Sequence, residues 1–139
     1  MIVLDTNVVS ELMRQKPDAK VTAWLDGFLR RDICITAISI FELRFGIKLH
    51  AKGQRRSQLE HGLAQILDSG FKDRILNLDA KAANAAALVS AEQRLIGHSK
   101  EVRDTFIAGI AISRNADLAT RNVRHFRGMN IRVIDPWAA

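Results

Sequence analysis

Residues 1–13 read MIVLDTNVVSELM. Ile2, Val3 and Leu4 are an unbroken apolar run, the pattern of a short strand covered on both faces, and helical spacing takes over within a few residues. Asp5 stands at the junction. Its ordinary explanation is an N-cap, because an Asp side chain at that position accepts from the orphan N–H groups of the helix that VVSELM starts. A doubly covered strand feeding straight into a helix is the opening of a parallel sheet with crossover helices, so this junction decides the fold class.

The rest of the chain repeats the alternation. Strands are expected at ICITAI (33–38), RILNL (74–78), DLAT (117–120) and IRVI (131–134), and helices at 6–14, 18–30, 39–50, 57–70, 80–96 and 102–115. AKGQRR (51–56) reads as a basic turn, and Ser99 in GHSKE as a cap for the next helix. The expectation is an α/β fold: a three-layer α/β/α sandwich with a mainly parallel central sheet of about five short strands. With 139 residues the chain suits one domain over 1–139.

A hydrophobic fraction of 47% and a charged fraction of 26% are those of an ordinary globular chain. No apolar run approaches the roughly 18 residues of a membrane span and no signal-type segment opens the chain, so a cytoplasmic protein without membrane contact is expected. Cys34 is the one cysteine, which excludes an internal disulfide and fits a buried thiol. The formal charge is +6, with clusters in KGQRR (Arg55, Arg56) and RNVRHFRG (Arg121, Arg124, Arg127) that are either phosphate contacts or solvated loop charge. His50, His61, His98 and His125 lack zinc-type spacing, and neither a GxxxxGK[ST] loop nor a GxGxxG turn is present.

Two further acids interrupt apolar patterns. At about 100° per residue, Glu42 falls on the helical face of Ile38, Phe41, Phe45 and Leu49. A carboxylate there needs a cation, a hydrogen-bond network or a proton, and an arginine salt bridge is its plain structural explanation. Asp104 shares a face with Ile107, Ala108 and Ala111 near a helix start, where the helix dipole alone would favour it. Ligands of parallel sheets bind beyond the carboxyl ends of the strands, where Asp5 and the Thr120–Asn122 segment both fall. Three acids that cannot neutralise one another point to a shared hard cation, Mg²⁺ or Mn²⁺ rather than zinc.

In this order, MIVLDTNVVSEL, SIFELRFGI, RDTFIAGIA and LATRNVRHF with the terminal DPW resemble the motifs of the PIN-domain family of metal-dependent ribonucleases, specifically the bacterial VapC and FitB type toxins of toxin–antitoxin pairs. The resemblance spans the whole chain. It implies that Asp5, Glu42 and Asp104 gather Mg²⁺, with Mn²⁺ as a substitute, and that Asn122 takes the place of a fourth catalytic acid. His125 matches a position where Asp is common, so these two departures weaken a fully acidic second metal site. Thr6, Asn7 and Thr120 would orient the acids and water.

The implied activity is endoribonuclease cleavage of single-stranded or structured RNA by a metal-activated water, with Arg55, Arg56, Arg121 and Arg124 as RNA contacts. The implied partners are a small antitoxin, a second copy of the chain, and DNA only through the antitoxin. The competing reading is a catalytically weak PIN-like module for RNA binding or dimerisation. A haloacid-dehalogenase-type phosphotransferase would need an Asp where this chain has Asn7. The helix bearing Glu42 also carries a second stripe, Ile40, Leu43 and Ile47. If the Glu42 side faces the sheet, that second stripe is covered by the helix from Ser57 to Ser69, through Leu59, Leu63 and Ile66, or by another chain, and a role in dimer or antitoxin contact is expected of it.

Overall fold

The computed structural model describes Met1–Ala139. Five parallel strands, β1 (Ile2–Leu4), β2 (Ile33–Thr36), β3 (Ile75–Leu76), β4 (Asp117–Ala119) and β5 (Val133–Ile134), form one sheet in the order β3-β2-β1-β4-β5. Alternate residues of each strand supply two cores, as the pleat dictates. Ile2, Leu4, Ile33, Ile35 and Ala119 pack under α1 (Thr6–Leu12), α2 (Ala19–Leu25), α3 (Ala37–Leu49) and α4 (Gln54–Gln65). Val3, Cys34, Leu76 and Leu118 pack against α5 (Ala80–Leu95) and α6 (Val102–Ser113) on the other face. The expected three layers are present, and Cys34 is a buried free thiol. No helix is long and apolar enough to cross a membrane.

The strand order places the site. From β1 the chain builds outward to β2 and β3 on one side, then returns to lay β4 and β5 on the other, so the switch in direction falls at the β1/β4 boundary, where a crevice opens. The register pairs Leu4 with Ala119, and the Asp5 amide donates to the Ala119 carbonyl at 2.9 Å. Asp5 and Thr120 therefore emerge side by side.

Several boundaries differ from the sequence expectation. The strands are shorter, because β2 ends at Thr36, whose hydroxyl caps α3 by accepting from the Ser39 amide at 3.1 Å. The segment expected as a basic turn is partly helix: Arg55 and Arg56 lie in the first turn of α4, which continues as a π-helical turn over Ile66–Gly70. Glu101, not Ser99, caps α6, accepting from the amides of Arg103 and Asp104. A short 3₁₀ helix, Val123–Phe126, occupies the segment expected as a simple turn between the last two strands.

The two stripes of α3 are exchanged. Leu43 and Ile47 are buried and Ile40 is half-buried, all three within the core on the side of α1–α4, alongside Leu59, Leu63 and Ile66. Phe41, Phe45 and Leu49 are exposed instead. The Ile40, Leu43 and Ile47 stripe is thus covered inside the chain and is not free for a partner, contrary to the expectation. Glu42 lies about 100° round the helix from Leu43, on the border between the buried face and the open one, which lets its carboxylate reach the crevice without crossing the core.

Candidate active site

Asp5 fulfils its capping role and more. Its Oδ1 accepts from the Thr6 amide at 2.8 Å; its Oδ2 accepts from the Thr120 hydroxyl at 2.7 Å and the Asn7 side-chain amide at 3.2 Å. Asn7 is fixed in turn, since its Oδ1 accepts from the Arg121 amide at 3.0 Å, and the Asn122 amide donates to Thr120 Oγ1 at 3.0 Å. The loop after β4 is thereby clamped to the loop after β1. Glu42 Oε1 accepts from the Thr6 hydroxyl at 2.8 Å, which also stands 2.9 Å from Ser39 Oγ. Thr6 thus touches the segments that carry two of the acids.

Asp104 sits in the first turn of α6 with Oδ2 3.2 Å from His125 Nδ1. Helix α6 is held close to α5 because Gly109 has no side chain: a Cβ there would lie 2.6 Å from the Ala82 carbonyl oxygen. That approach fixes the depth at which Asp104 enters the crevice.

Asp5, Thr6, Asn7, Glu42, Asp104 and Asn122 line one cleft of about 430 Å³, with Thr120 buried beneath Asp5. Sequence reasoning missed three of its walls, Arg103, Glu101 and Ser10. Arg103 Nη1 is 3.8 Å from Glu42 Oε2 and its Nε is 3.1 Å from Glu101 Oε1. Glu101 carried little signal, since Glu is not among the residue types that favour an N-cap and Ser99 stands two residues before it.

Of the four expected RNA contacts, none lines this cleft. Arg121 stacks on Trp137, 4.8 Å from the ring centroid, and Arg124 is exposed in the 3₁₀ helix. Arg56 is turned to Glu60 at 3.1 Å. Arg55 belongs to a separate groove.

The acids strain one another electrostatically. Burial first, and then the Asp5 charge, push the Asp104 carboxyl up to about 6, against the lowering effect of His125. Burial also raises Asp5, against the lowering effect of its bond from Thr120. Glu42 is raised by burial and by Asp5, against the Thr6 bond and the Arg103 charge. Like charges gathered in a half-dry cleft are stabilised by a cation between them. Apart from the His125 imidazole, the donors are carboxylate, hydroxyl and amide oxygens, the chemistry of a hard divalent ion rather than zinc. As placed, no three His, Cys, Asp or Glu side chains stand close enough to share one ion, and a shared ion would require Glu42 and Asp104 to turn inward toward Asp5.

Comparison with known proteins identifies what the chain is similar to. The family model described as "PIN domain" matches residues 2–130. The chain is 34% identical over 137 residues to toxin FitB of Neisseria gonorrhoeae, covering 99% of each chain. It is also 34% identical over 137 residues to the VapC ribonuclease Y4jK of Sinorhizobium fredii, covering 99% of this chain and 98% of that one. The solved structure of FitAB bound to an IR36 DNA fragment superposes with a TM-score of 0.88 at 33% identity, covering 99% of this chain and 96% of that chain.

Proposed function

From the premise that the chain belongs to the PIN-domain family, in its VapC and FitB branch, we propose that residues 1–139 form one Mg²⁺-dependent endoribonuclease domain, the toxin of a toxin–antitoxin pair. The observation that carries the reading is the single cleft lined by Asp5, Glu42 and Asp104, each raised in pKa by burial and two of them by the Asp5 charge. A ribonuclease is also what the relative from Sinorhizobium fredii is called.

Bound Mg²⁺, or Mn²⁺ in its place, would lower the pKa of a coordinated water and neutralise charge on the phosphate. The chain's own residues supply the rest. Asp5, pinned at both oxygens, is the fixed carboxylate, and Glu42 on α3 and Asp104 on α6 are the acids that would join it in holding the ion. Thr6, Asn7 and Thr120 hold the acids in place. Asn122 presents a neutral amide where a fourth acid would add repulsion, and His125 steadies Asp104. Arg103, drawn between Glu42 and Glu101, is the cation nearest to an incoming phosphate.

The exposed α3 stripe supports a homodimer. Phe41 is 55% exposed, Phe45 51% and Leu49 72%, and the two phenyl rings stack with centroids 6.0 Å apart. Monomers rarely leave such a stripe in water. A small antitoxin, acting as the link to DNA, is the other partner we propose, in keeping with the solved FitAB complex on DNA.

The deciding experiment is cleavage of single-stranded RNA by purified protein with Mg²⁺ or Mn²⁺, compared with the same reaction in EDTA. Cleavage that needs the metal and disappears in Glu42→Gln is expected. Equal cleavage in EDTA, or RNA binding with no cleavage under any divalent ion, would leave the catalytically weak binding module as the correct account.

A further inference from the structure

A second concavity, of about 850 Å³, runs between the C-terminal half of α1 with the turn after it and α4 with its π-helical turn. Arg14, Lys16 and Arg55 line it, no carboxylate does, and Leu59 and Ile66 lie among its apolar surfaces. Ser10 on α1 lines both this groove and the acid cleft, so the two adjoin across that helix. Helix α1 is the distance between them, and seven residues at about 1.5 Å each span about 10 Å.

Without a bound cation the acid cleft carries more carboxylates than positive side chains. Asp5, Glu42, Glu101 and Asp104 line it against Arg103 and His125. Attraction has to come from cations that adjoin the cleft and are not already spent on carboxylates. Arg56 is held by Glu60, Arg114 faces Asp79 and Arg132 faces Asp117. Arg14 is tied to the buried Glu11 at 3.3 Å. Lys16 and Arg55 make no ion pair, and neither do Arg121 and Arg124 beside the cleft-lining Asn122 and His125, but of these four only Lys16 and Arg55 line a groove free of carboxylates. Four of the fifteen lining residues are hydrophobic, too few for an apolar peptide but suited to a strand whose phosphates meet cations while its bases lie on scattered apolar patches.

We infer that this groove binds the single-stranded RNA flanking the scissile bond, with phosphates on Lys16 and Arg55 and bases against Leu59 and Ile66. The inference rests on the ribonuclease reading and adds to it a path for the substrate. It also divides the basic KGQRR segment, with Arg55 facing RNA and Arg56 structural.

The test is a comparison of wild type with Lys16→Gln/Arg55→Gln; Arg14 is left intact because removing it would strand Glu11. RNA affinity is measured in EDTA over a salt series, with a long single strand and with an oligonucleotide short enough to fill only the acid cleft. Loss of two contacts should flatten the slope of log affinity against log salt by about 1.4 for the long strand, at roughly 0.7 per phosphate contact. The advantage of long over short RNA, in affinity and in kcat/KM with Mg²⁺, should shrink by about tenfold. An unchanged slope and length advantage overturn the inference while leaving metal-dependent cleavage by wild type, and so the ribonuclease reading, intact. A double variant that keeps its RNA slope but loses the cognate antitoxin assigns the groove to the partner protein and overturns it equally. A wild type that cuts no RNA fails the underlying reading instead.

Discussion

Asp104→Asn is the substitution that most directly probes the electrostatic strain of the cleft. The Asp104 carboxyl is raised from an ordinary 3.8 to about 6, first by burial and then by Asp5. A raised acid is bound by its proton more tightly in the folded chain than in the unfolded one. The stability it contributes is therefore full below about pH 4 and is lost as pH rises through about 6. At neutral pH the metal-free protein carries the whole penalty. About two units at 1.36 kcal/mol each give an upper figure of about 3 kcal/mol. The cleft is open and the side chain is 19% exposed, so screening by solvent brings this to about 1–2 kcal/mol. Asp104→Asn removes the charge yet keeps an acceptor for His125, so in EDTA at neutral pH the variant should melt higher than wild type by about 2–4 °C per kcal/mol recovered. Thermal unfolding in EDTA across the acid-to-neutral range is the assay: wild type should lose stability between about pH 4 and pH 6 and the variant should lose less. Excess Mg²⁺ should then raise the melting temperature of wild type alone, since binding to the folded state stabilises by mass action. A variant that melts lower than wild type in EDTA at neutral pH would mean that Asp104 is a structural ion-pair partner of His125, and the reasoning would be wrong.

Two further outcomes test the frame around the cleft. Gly109→Ala should destabilise the protein by about 1–3 kcal/mol or more, because the added methyl meets the Ala82 carbonyl and the Ala86 Cβ at 2.6 Å and no flexible side chain is there to give way; chemical denaturation would read this, and a change within about 0.5 kcal/mol would refute the close α5–α6 packing. Phe45→Glu should convert a dimer to a monomer in sedimentation while leaving the melting profile of the monomer cooperative, because the residue is 51% exposed; a dimer that survives the substitution moves the interface elsewhere.

The sheet, its parallel sense and the convergence of Asp5, Glu42 and Asp104 were legible because each leaves a local mark: apolar strands with no polar alternation, and acids set where the pattern calls for apolar residues. Strand lengths were less legible, since Thr36, inside the expected strand 33–38, and Asp5, at the end of the first strand, are helix caps by hydrogen bonding. The cleft's remaining polar walls were hidden for another reason. Arg103 and Glu101 take their positions from the way α6 begins, and that depends on which residue caps the helix, a matter of competition between Ser99 and Glu101 that composition does not resolve.

The exchange of the α3 stripes follows from a different physical fact. Ile38, Phe41, Phe45 and Leu49 on one side and Ile40, Leu43 and Ile47 on the other make a helix apolar nearly all round, and such a helix does not specify by itself which side meets its own sheet. Glu42 does not decide between them, because an acid aimed at the site need not share its face with the core. The structure separates the two requirements: Glu42 is placed at the edge of the buried face, where a short turn of the helix brings its carboxylate to Thr6 while Leu43 and Ile47 fill the core beneath α4. An active-site acid on a crossover helix belongs on the border of the apolar face, because there its charge keeps access to water and metal. With the core satisfied from the other side, the Phe41 and Phe45 rings remain stacked and exposed, an apolar surface left for a second chain to cover.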